Sequence, residues 1–293
     1  MWFGYVAPIS QDELAKYPGY SMNDDIGKTG IESLFENYLR GQNGTKQTDM
    51  SVSGLATGEY VTKGAVAGDN VTLTIDANLQ QAAEQALKNN IQKMDSGGFG
   101  TKGNAAAGSV VVLDVKTGEV LAMASYPDFN PQLFVDGIST DQWNIYNDPT
   151  KSALLNRAIQ SSYAPGSIFK MVTATAALES GATTTSEQIN DTGIFHIGTD
   201  VKYCWIYSDA GHGHGWVNMS EAIQDSCNYY FFTMGQRIGI QTLQNYTKMF
   251  GLGSKTGIQL PGEISGTVAG TLPNDKTAWY GGDTVDAAIR TSR

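Results

Sequence analysis

Ser167 and Lys170 stand three residues apart in the run Ala164 to Gly181, APGSIFKMVTATAALESG, and a hydroxyl and an amine so placed could form an activated nucleophile. Pro165 and Gly166 interrupt what comes before, Ser167 falls where a helix begins, and Gly181 stops it. Positions i and i+3 share a helix face, which brings the two groups within hydrogen-bond reach. Ile168, Phe169, Met171, Val172, Ala174, Ala176, Ala177 and Leu178 lie on nearly every side, so a buried element is predicted. A lysine facing inward from it is desolvated, its pKa falls, and the neutral amine takes a proton from the serine. Ser-x-x-Lys is a common tetrapeptide, however, and a serine at a helix start is ordinarily only a cap.

The support comes from Ser226-Cys227-Asn228, between helical segments expected at Met219 to Asp225 and Tyr229 to Ile238. A hydroxyl and an amide on a short connection can project into a cleft, relay a proton and hold a substrate carbonyl. A plain helix-to-helix cap would use the same residue types, and a second Ser-x-Asn stands at Ser21-Met22-Asn23. Only the ordered combination carries weight: Ser-x-x-Lys, then Ser-x-Asn, then Lys-Thr-Gly is the motif set of penicillin-recognising serine enzymes.

With both motifs in view, the surrounding chain resembles the class B penicillin-binding proteins, monofunctional transpeptidases that cross-link bacterial peptidoglycan. GYVAPIS and DDIGKTGIESLFENYLRGQNG are similar to the pedestal that precedes the catalytic domain. VTLTIDANLQQAAEQAL resembles the entry strand and first helix, and AAAGSVVVLDVKTGEVLAMASYPDFNP the first hairpin. LLNRAIQSSYAPGSIFKMVTATAAL carries the nucleophile motif, and GLGSKTGIQLPGE follows the Ser-x-Asn region as in the family. The resemblance implies that Ser167 is the nucleophile, with Lys170 as its general base. It further implies that Ser226 shuttles protons, that Asn228 binds the substrate amide, and that the backbone N–H of Ser167 is one oxyanion donor. It also implies no cofactor. The implied partners are peptidoglycan stem peptides, β-lactam antibiotics and other cell-wall synthesis proteins, and the implied place is the extracytoplasmic face of the bacterial membrane.

The third motif departs from the family pattern. Lys-Thr-Gly occurs at 28–30, 116–118 and 255–257, and none is expected to be catalytic. The first lies in the pedestal, and the second is a tight turn between apolar strands at Ser109 to Val115 and Glu119 to Ser125. The third is followed by Leu260-Pro261-Gly262, where a proline argues against a central strand. WYGGDTVDAAIRTSR resembles the passage just upstream of the catalytic copy, with Arg290 where glycine is usual. The expectation is therefore a chain truncated at both ends, lacking the membrane anchor and the later strands. Two functions follow from it: serine acyl transfer on D-Ala-D-Ala stems, or a catalytically incomplete fragment acting as a binding or scaffold module. A third reading, a β-lactam sensor domain, would share the serine and lysine but not the pedestal.

Composition bounds these readings. A chain of 293 residues with 41% hydrophobic and 16% charged residues can bury a sizeable core. Nineteen basic against twenty-nine acidic residues give a net charge of −10, which disfavours nucleic acid as a partner. The start, MWFGYVAPIS, lacks the pattern of a signal peptide. Cys204 and Cys227 are the only cysteines and are read as free thiols, Cys227 as a small apolar filler. His212 and His214 with His196 could grip a metal, but sites of that kind need a further ligand and a supporting shell, so no metal is assigned.

The predicted architecture is α+β, a penicillin-binding transpeptidase domain in which a sheet backed by helices stands beside an all-helical lobe. Residues 1–66 read as pedestal and linker with a short helix around Gly30 to Leu39, and residues 67–293 as the transpeptidase domain. A strand from Val71 should lead into a helix over Asn78 to Lys93, where Leu79, Ala82, Ala83, Ala86, Leu87 and Ile91 recur at helical spacing.

Overall fold

Asp114 turns the chain back between two apolar runs. In the computed structural model, which describes residues 2–135, 137–270 and 281–289, Gly108–Leu113 and Val120–Tyr126 pair antiparallel, with Val110 opposite Ala124. The Asp114 carboxylate accepts from the backbone N–H groups of Lys116 (2.7 Å) and Thr117 (3.1 Å), and Gly118 takes φ +78°. The second Lys-Thr-Gly is thus a turn, as its flanking strands predicted.

The helix Ala77–Asp95 covers one face of this hairpin. Asp76 caps it by accepting from the N–H of Leu79 at 2.8 Å. Leu79, Ala83 and Leu87 pack on Ala122, Ala124, Val110 and Val112. Gln80, buried on the same face, reaches into the sheet. Its amide donates to the Met123 carbonyl at 2.9 Å and accepts from the Met123 N–H at 2.7 Å. Gln80→Leu would strand both backbone groups in an apolar layer. We expect that variant to lose about 1–3 kcal/mol of stability, read as a lower urea midpoint. The strand expected from Val71 is absent among the described residues; 67–76 run without regular structure into the helix.

The chain divides into two compact units, Met1–Ser161 with Gln259–Glu263 and Ser162–Ile258 with Ile264–Arg293. In the first, Val6–Pro8 pairs with Asp25–Gly27. The single helix expected around Gly30 to Leu39 is two, Gly30–Leu34 and Glu36–Leu39, separated at Phe35. Thr45–Met50 and Ala56–Lys63 form an antiparallel hairpin exposed at every position. It was not legible because a ladder without a buried face has no apolar alternation to betray it. The stretch after Tyr126 has its own small core of Phe129, Phe134, Tyr146 and Ala153, with Tyr5 packed against it. Buried Arg157 ties that stretch down by donating to the carbonyls of Lys151 (2.5 Å) and Ser152 (3.1 Å).

The second unit is built on helices Lys170–Glu179, Met219–Gln224 and Asn228–Met249, with Gly281–Ala287 packed against the last. Its core joins Phe169, Val172 and Ala176 to Tyr230, Phe231 and Met234. Thr173, fully buried, donates to the Ala288 carbonyl at 2.7 Å. Gly239, at φ 69° and ψ 168°, breaks the long helix. Two short ladders complete the unit, Ile189–Asp191 with Gly215–Val217 and Ile194–Ile197 with Asp200–Tyr203. Every sheet among the described residues has two strands, so the α+β class holds in the form of helices with small sheets. The third Lys-Thr-Gly lies on no strand, and Arg290 falls outside the described residues.

Candidate active site

Ser167 stands at the second position of a 3-10 turn, Gly166–Phe169, that feeds directly into the helix Lys170–Glu179. Gly166 takes φ +63°, the left-handed region in which a glycine is unstrained. The turn divides the motif between two environments. Ser167 and Ile168 face solvent, whereas Phe169 and Lys170 are each only 3% exposed. The inward-facing lysine is therefore as the sequence predicted, but its partner is not. Among the described residues the amine bonds the second motif, and no hydrogen bond joins it to Ser167. A 3-10 turn still stacks positions i and i+3 but sets them about 6 Å apart along its axis, against about 4.5 Å in an α-helix, so the closer approach of a regular helix is not made at Ser167.

The second motif is a tight joint between two helices. Met219–Gln224 ends at Asp225, Ser226 takes φ +51°, and Asn228 opens the next helix. A positive φ is uncommon for a non-glycine residue and marks a backbone held by its surroundings. Cys227 caps the following helix, its Sγ accepting from the N–H of Tyr230 at 3.4 Å. Fully buried Tyr230, Phe231 and Met234 anchor that helix start.

The Lys170 amine joins the two motifs. It donates to the Ser226 carbonyl at 2.7 Å, to Ser226 Oγ at 3.0 Å and to Asn228 Oδ1 at 2.7 Å. The ring of Phe231 lies 5.5 Å away, within cation–π range. Burial pushes the amine down to about 8, partly opposed by its electrostatic interaction with the Cys227 and Cys204 side chains. A neutral amine would have two N–H bonds and a lone pair, and the Ser226 hydroxyl is the one donor among its three partners. That geometry can pass a proton between Lys170 and Ser226.

Beneath the joint lies a group that the sequence had connected only in part. Asp191, Cys204, His214 and Cys227 each offer one ligand atom, all within 4.8 Å of one another. The register of Ile189–Asp191 on Gly215–Val217 sets Gly215 opposite Asp191, which brings His214 alongside. Asp191 Oδ2 accepts from His214 Nδ1 at 2.7 Å, from the His214 N–H at 3.1 Å and from Cys227 Sγ at 3.3 Å. Cys204 Sγ is 3.5 Å from His214 Nδ1 and 4.0 Å from Cys227 Sγ. Burial raises the Asp191 pKa, but its hydrogen bonds from His214, among others, outweigh this and leave it lowered; burial likewise disfavours charged His214, which Asp191 holds raised. The Cys227 thiol is pushed up by its hydrogen bond to Cys204 and by burial.

Two thiols, an imidazole and a carboxylate are a donor set that suits a tetrahedral zinc-like ion, whose ligand atoms stand about 3.3–3.8 Å apart. Cys227 Sγ–Asp191 Oδ2 at 3.3 Å and Cys204 Sγ–His214 Nδ1 at 3.5 Å match that spacing, whereas His214 Nδ1–Asp191 Oδ2 at 2.7 Å is shorter and the two sulfurs at 4.0 Å stand farther apart. The donor set suits a metal, although none was assigned from sequence. Of the three histidines considered there, only His214 joins the group; exposed His212 bonds the Gly213 carbonyl and exposed His196 lies on another ladder. His214 Nε2 is buried with no hydrogen-bond partner among the described residues, so the outer support usual for a metal-bound imidazole is lacking. Cys227 is also no mere apolar filler, since it caps a helix and bonds Asp191. The signal that was available was the coincidence of the only two cysteines with the GHGHG run.

The comparisons with known proteins show the family to which the resemblance pointed. Residues 108–290 match the penicillin-binding protein transpeptidase domain, and residues 2–73 the penicillin-binding protein dimerisation domain. The peptidoglycan D,D-transpeptidase MrdA of Escherichia coli K12 is 34% identical over 98% of this chain and 44% of its own length. MrdA of Acinetobacter baumannii is 32% identical over 98% of this chain and 41% of its own. Among solved structures, the penicillin-binding protein PBP2 of Helicobacter pylori superposes with a TM-score of 0.77 at 30% identity, covering 98% of this chain and 52% of that one. A chain from a peptidoglycan synthase complex reaches 0.84 at 32% identity, covering 98% and 50%. Fold and family matches thus define a penicillin-binding protein transpeptidase domain with a dimerisation segment ahead of it. The chain belongs to the class B penicillin-binding proteins, the D,D-transpeptidase family of MrdA. It spans about two fifths of the length of these curated relatives.

Proposed function

We propose that this chain carries the acyl-transfer centre of a peptidoglycan D,D-transpeptidase, acting at the extracytoplasmic face of a bacterial membrane. Residues 1–66 serve as its pedestal and residues 67–293 as its transpeptidase region. The observation that carries this reading is the buried Lys170 amine, bonded to both polar residues of the Ser-x-Asn joint. In this reading Ser167 Oγ attacks the penultimate D-alanine carbonyl of a stem peptide as Lys170 takes the hydroxyl proton. The tetrahedral intermediate collapses, terminal D-alanine leaves with that proton returned through Ser226, and an amine of a neighbouring stem resolves the ester. Asn228 holds the substrate amide, and the Ser167 N–H is one oxyanion donor. A β-lactam mimics the donor stem and acylates the same serine. No helix among the described residues is long and apolar enough to cross a membrane. A Helicobacter pylori relative has been solved in complex with MreC, so partners of the cell-wall machinery belong to the reading.

The test is peptide mapping after incubation with a labelled penicillin. We expect one adduct, on the peptide that contains Ser167. A folded chain that acquires no label, or carries it elsewhere, overturns the assignment. The irregular backbone at 255–257 favours a second reading, a binding module without turnover. In that case the chain would bind stem peptide without forming an ester.

A further inference from the structure

Two side-chain donors grip the backbone of the Ser-x-Asn joint from different elements. Lys170 donates to the Ser226 carbonyl at 2.7 Å, and the indole N–H of Trp205 donates to the Asp225 carbonyl at 3.0 Å. The carbonyls just upstream are used locally, Ala222 accepting from the Cys227 N–H and Ile223 from the Ser226 N–H. Asp225 has no backbone donor of its own among the described residues. The carbonyls of Asp225 and Ser226 belong to the peptide planes on either side of the Ser226 Cα. The direction of the first is tied to φ of Ser226, and that of the second to ψ. Holding both keeps the residue at φ +51°, a left-handed conformation that a non-glycine residue abandons unless its surroundings fix it. At that setting Ser226 Oγ lies 3.0 Å from the Lys170 amine. We infer that Trp205 is a positioning residue for acyl transfer: through the Asp225 carbonyl, its indole N–H holds Ser226 in the backbone conformation that presents the hydroxyl to Lys170.

The donor is fixed independently of the joint it holds. Trp205 opens the short helix Trp205–Ala210, and the N–H of Cys204 just before it donates to the Gly193 carbonyl at 2.9 Å. One turn on, the Tyr207 ring stacks against that of Tyr203, with centroids 5.7 Å apart and planes inclined by 20°. Gly193 lies so close to Tyr207 that a Cβ there would meet the ring at 2.3 Å. The indole itself packs edge-to-face with the His214 ring, centroids 5.6 Å apart. The N–H therefore arrives already aimed at the carbonyl. Trp205 is 42% exposed, so water could also donate to Asp225, but a mobile donor imposes no direction on the peptide plane. An indole is a donor only, and a phenyl ring in its place would keep an aromatic contact without the hydrogen bond. Trp205 makes and breaks no bond in the reaction. Its role in catalysis rests on the function proposed above, in which the Ser226 hydroxyl returns the proton to the leaving D-alanine.

The experiment compares the purified full chain with Trp205→Phe and with a chain carrying benzothienylalanine at position 205. In the latter, sulfur replaces the indole N–H and the two-ring outline is kept. Acylation by penicillin over a range of concentrations separates the limiting rate from the half-saturating concentration. The ¹³C shifts and three-bond couplings of Ser226 report its φ without any substrate. We expect the limiting rate to fall about 5- to 30-fold, the population shift that matches the penalty of a left-handed L-residue set free. The half-saturating concentration should stay at the parental value, and the Ser226 signals should move toward negative φ. Trp216→Phe, which alters a 65% exposed ring on Gly215–Val217, should leave both readouts unchanged. Should Trp205→Phe not fold, the benzothienylalanine chain alone decides. Parental Ser226 signals in that chain overturn the assignment, as does a parental limiting rate, with or without a raised half-saturating concentration. A parent that never takes up penicillin, with Ser226 moving as expected on loss of the N–H, would fail the acyl-transfer reading and leave the hold of Trp205 on Ser226 standing.

Discussion

Lys170→Met is expected to slow acylation by a β-lactam about 10²- to 10⁴-fold, the range in which a positioned general base ordinarily contributes. Ser167 is exposed, and among the described residues no hydrogen bond joins its hydroxyl to a base, so in the proposed reading the proton passes to the buried Lys170 amine. Methionine matches the length of the lysine stem and suits the apolar wall formed by Phe169 and Phe231, so the helix should keep its packing. The variant does leave the Ser226 carbonyl and Asn228 Oδ1 without their donor, and some loosening of the joint is part of the effect. Lys170→Arg separates the two contributions. A guanidinium still donates hydrogen bonds to the joint but does not surrender a proton at ordinary pH. If the lysine is a base, both variants lose acylation to a similar extent; if it is only a tether for Ser226 and Asn228, arginine retains most of the rate. The comparison is made on second-order rate constants from intact mass. Parental rates in both variants would remove Lys170 from the chemistry.

Some parts of this site could be read from the sequence and others could not. The inward lysine was legible from its apolar neighbours, although the run is not buried all round: Ile168 and Met171 are exposed, while Phe169, Val172, Ala174, Ala176 and Ala177 are buried. The identity of its partners was not. Whether an amine meets Ser167 or Ser226 depends on a single 3-10 turn and on the positive φ of Ser226, and neither leaves a periodic trace. The helix over Ala77–Asp95 and the Asp114 turn were legible for the opposite reason: spacing and turn chemistry are local. The exposed hairpin at Thr45–Met50 and Ala56–Lys63 had no buried face to create a pattern. The four-residue cluster needed tertiary knowledge outright, since Asp191 meets His214 through strand register and Cys204 meets Cys227 through helix packing.

The second large effect is a pH dependence carried by the same amine, visible in rate and in stability. Burial places the folded-state value at about 8, against 10.5 for an unfolded lysine. The acylation rate should therefore rise with pH and level off above about 8, as the neutral base becomes the main form. Stability should move in the same direction over a different window. Below about 8 both folded and unfolded chains carry the proton, and this lysine contributes no slope. Between about 8 and 10.5 the unfolded chain binds a proton that the folded chain does not, so the unfolding free energy increases with pH. The full gain across that window is about 3 kcal/mol, at 1.36 kcal/mol per unit of pKa difference. Tyrosines and other lysines titrate in the same range, which is why the comparison is with Lys170→Met. The difference in urea midpoint between parent and variant should grow in the parent's favour as pH rises from 8 toward 10. A constant difference would mean that the buried amine keeps its proton in the folded chain, held by its three oxygen partners. In that case the acylation profile would have no inflection near 8, and proton removal from Ser167 would have to fall to another group.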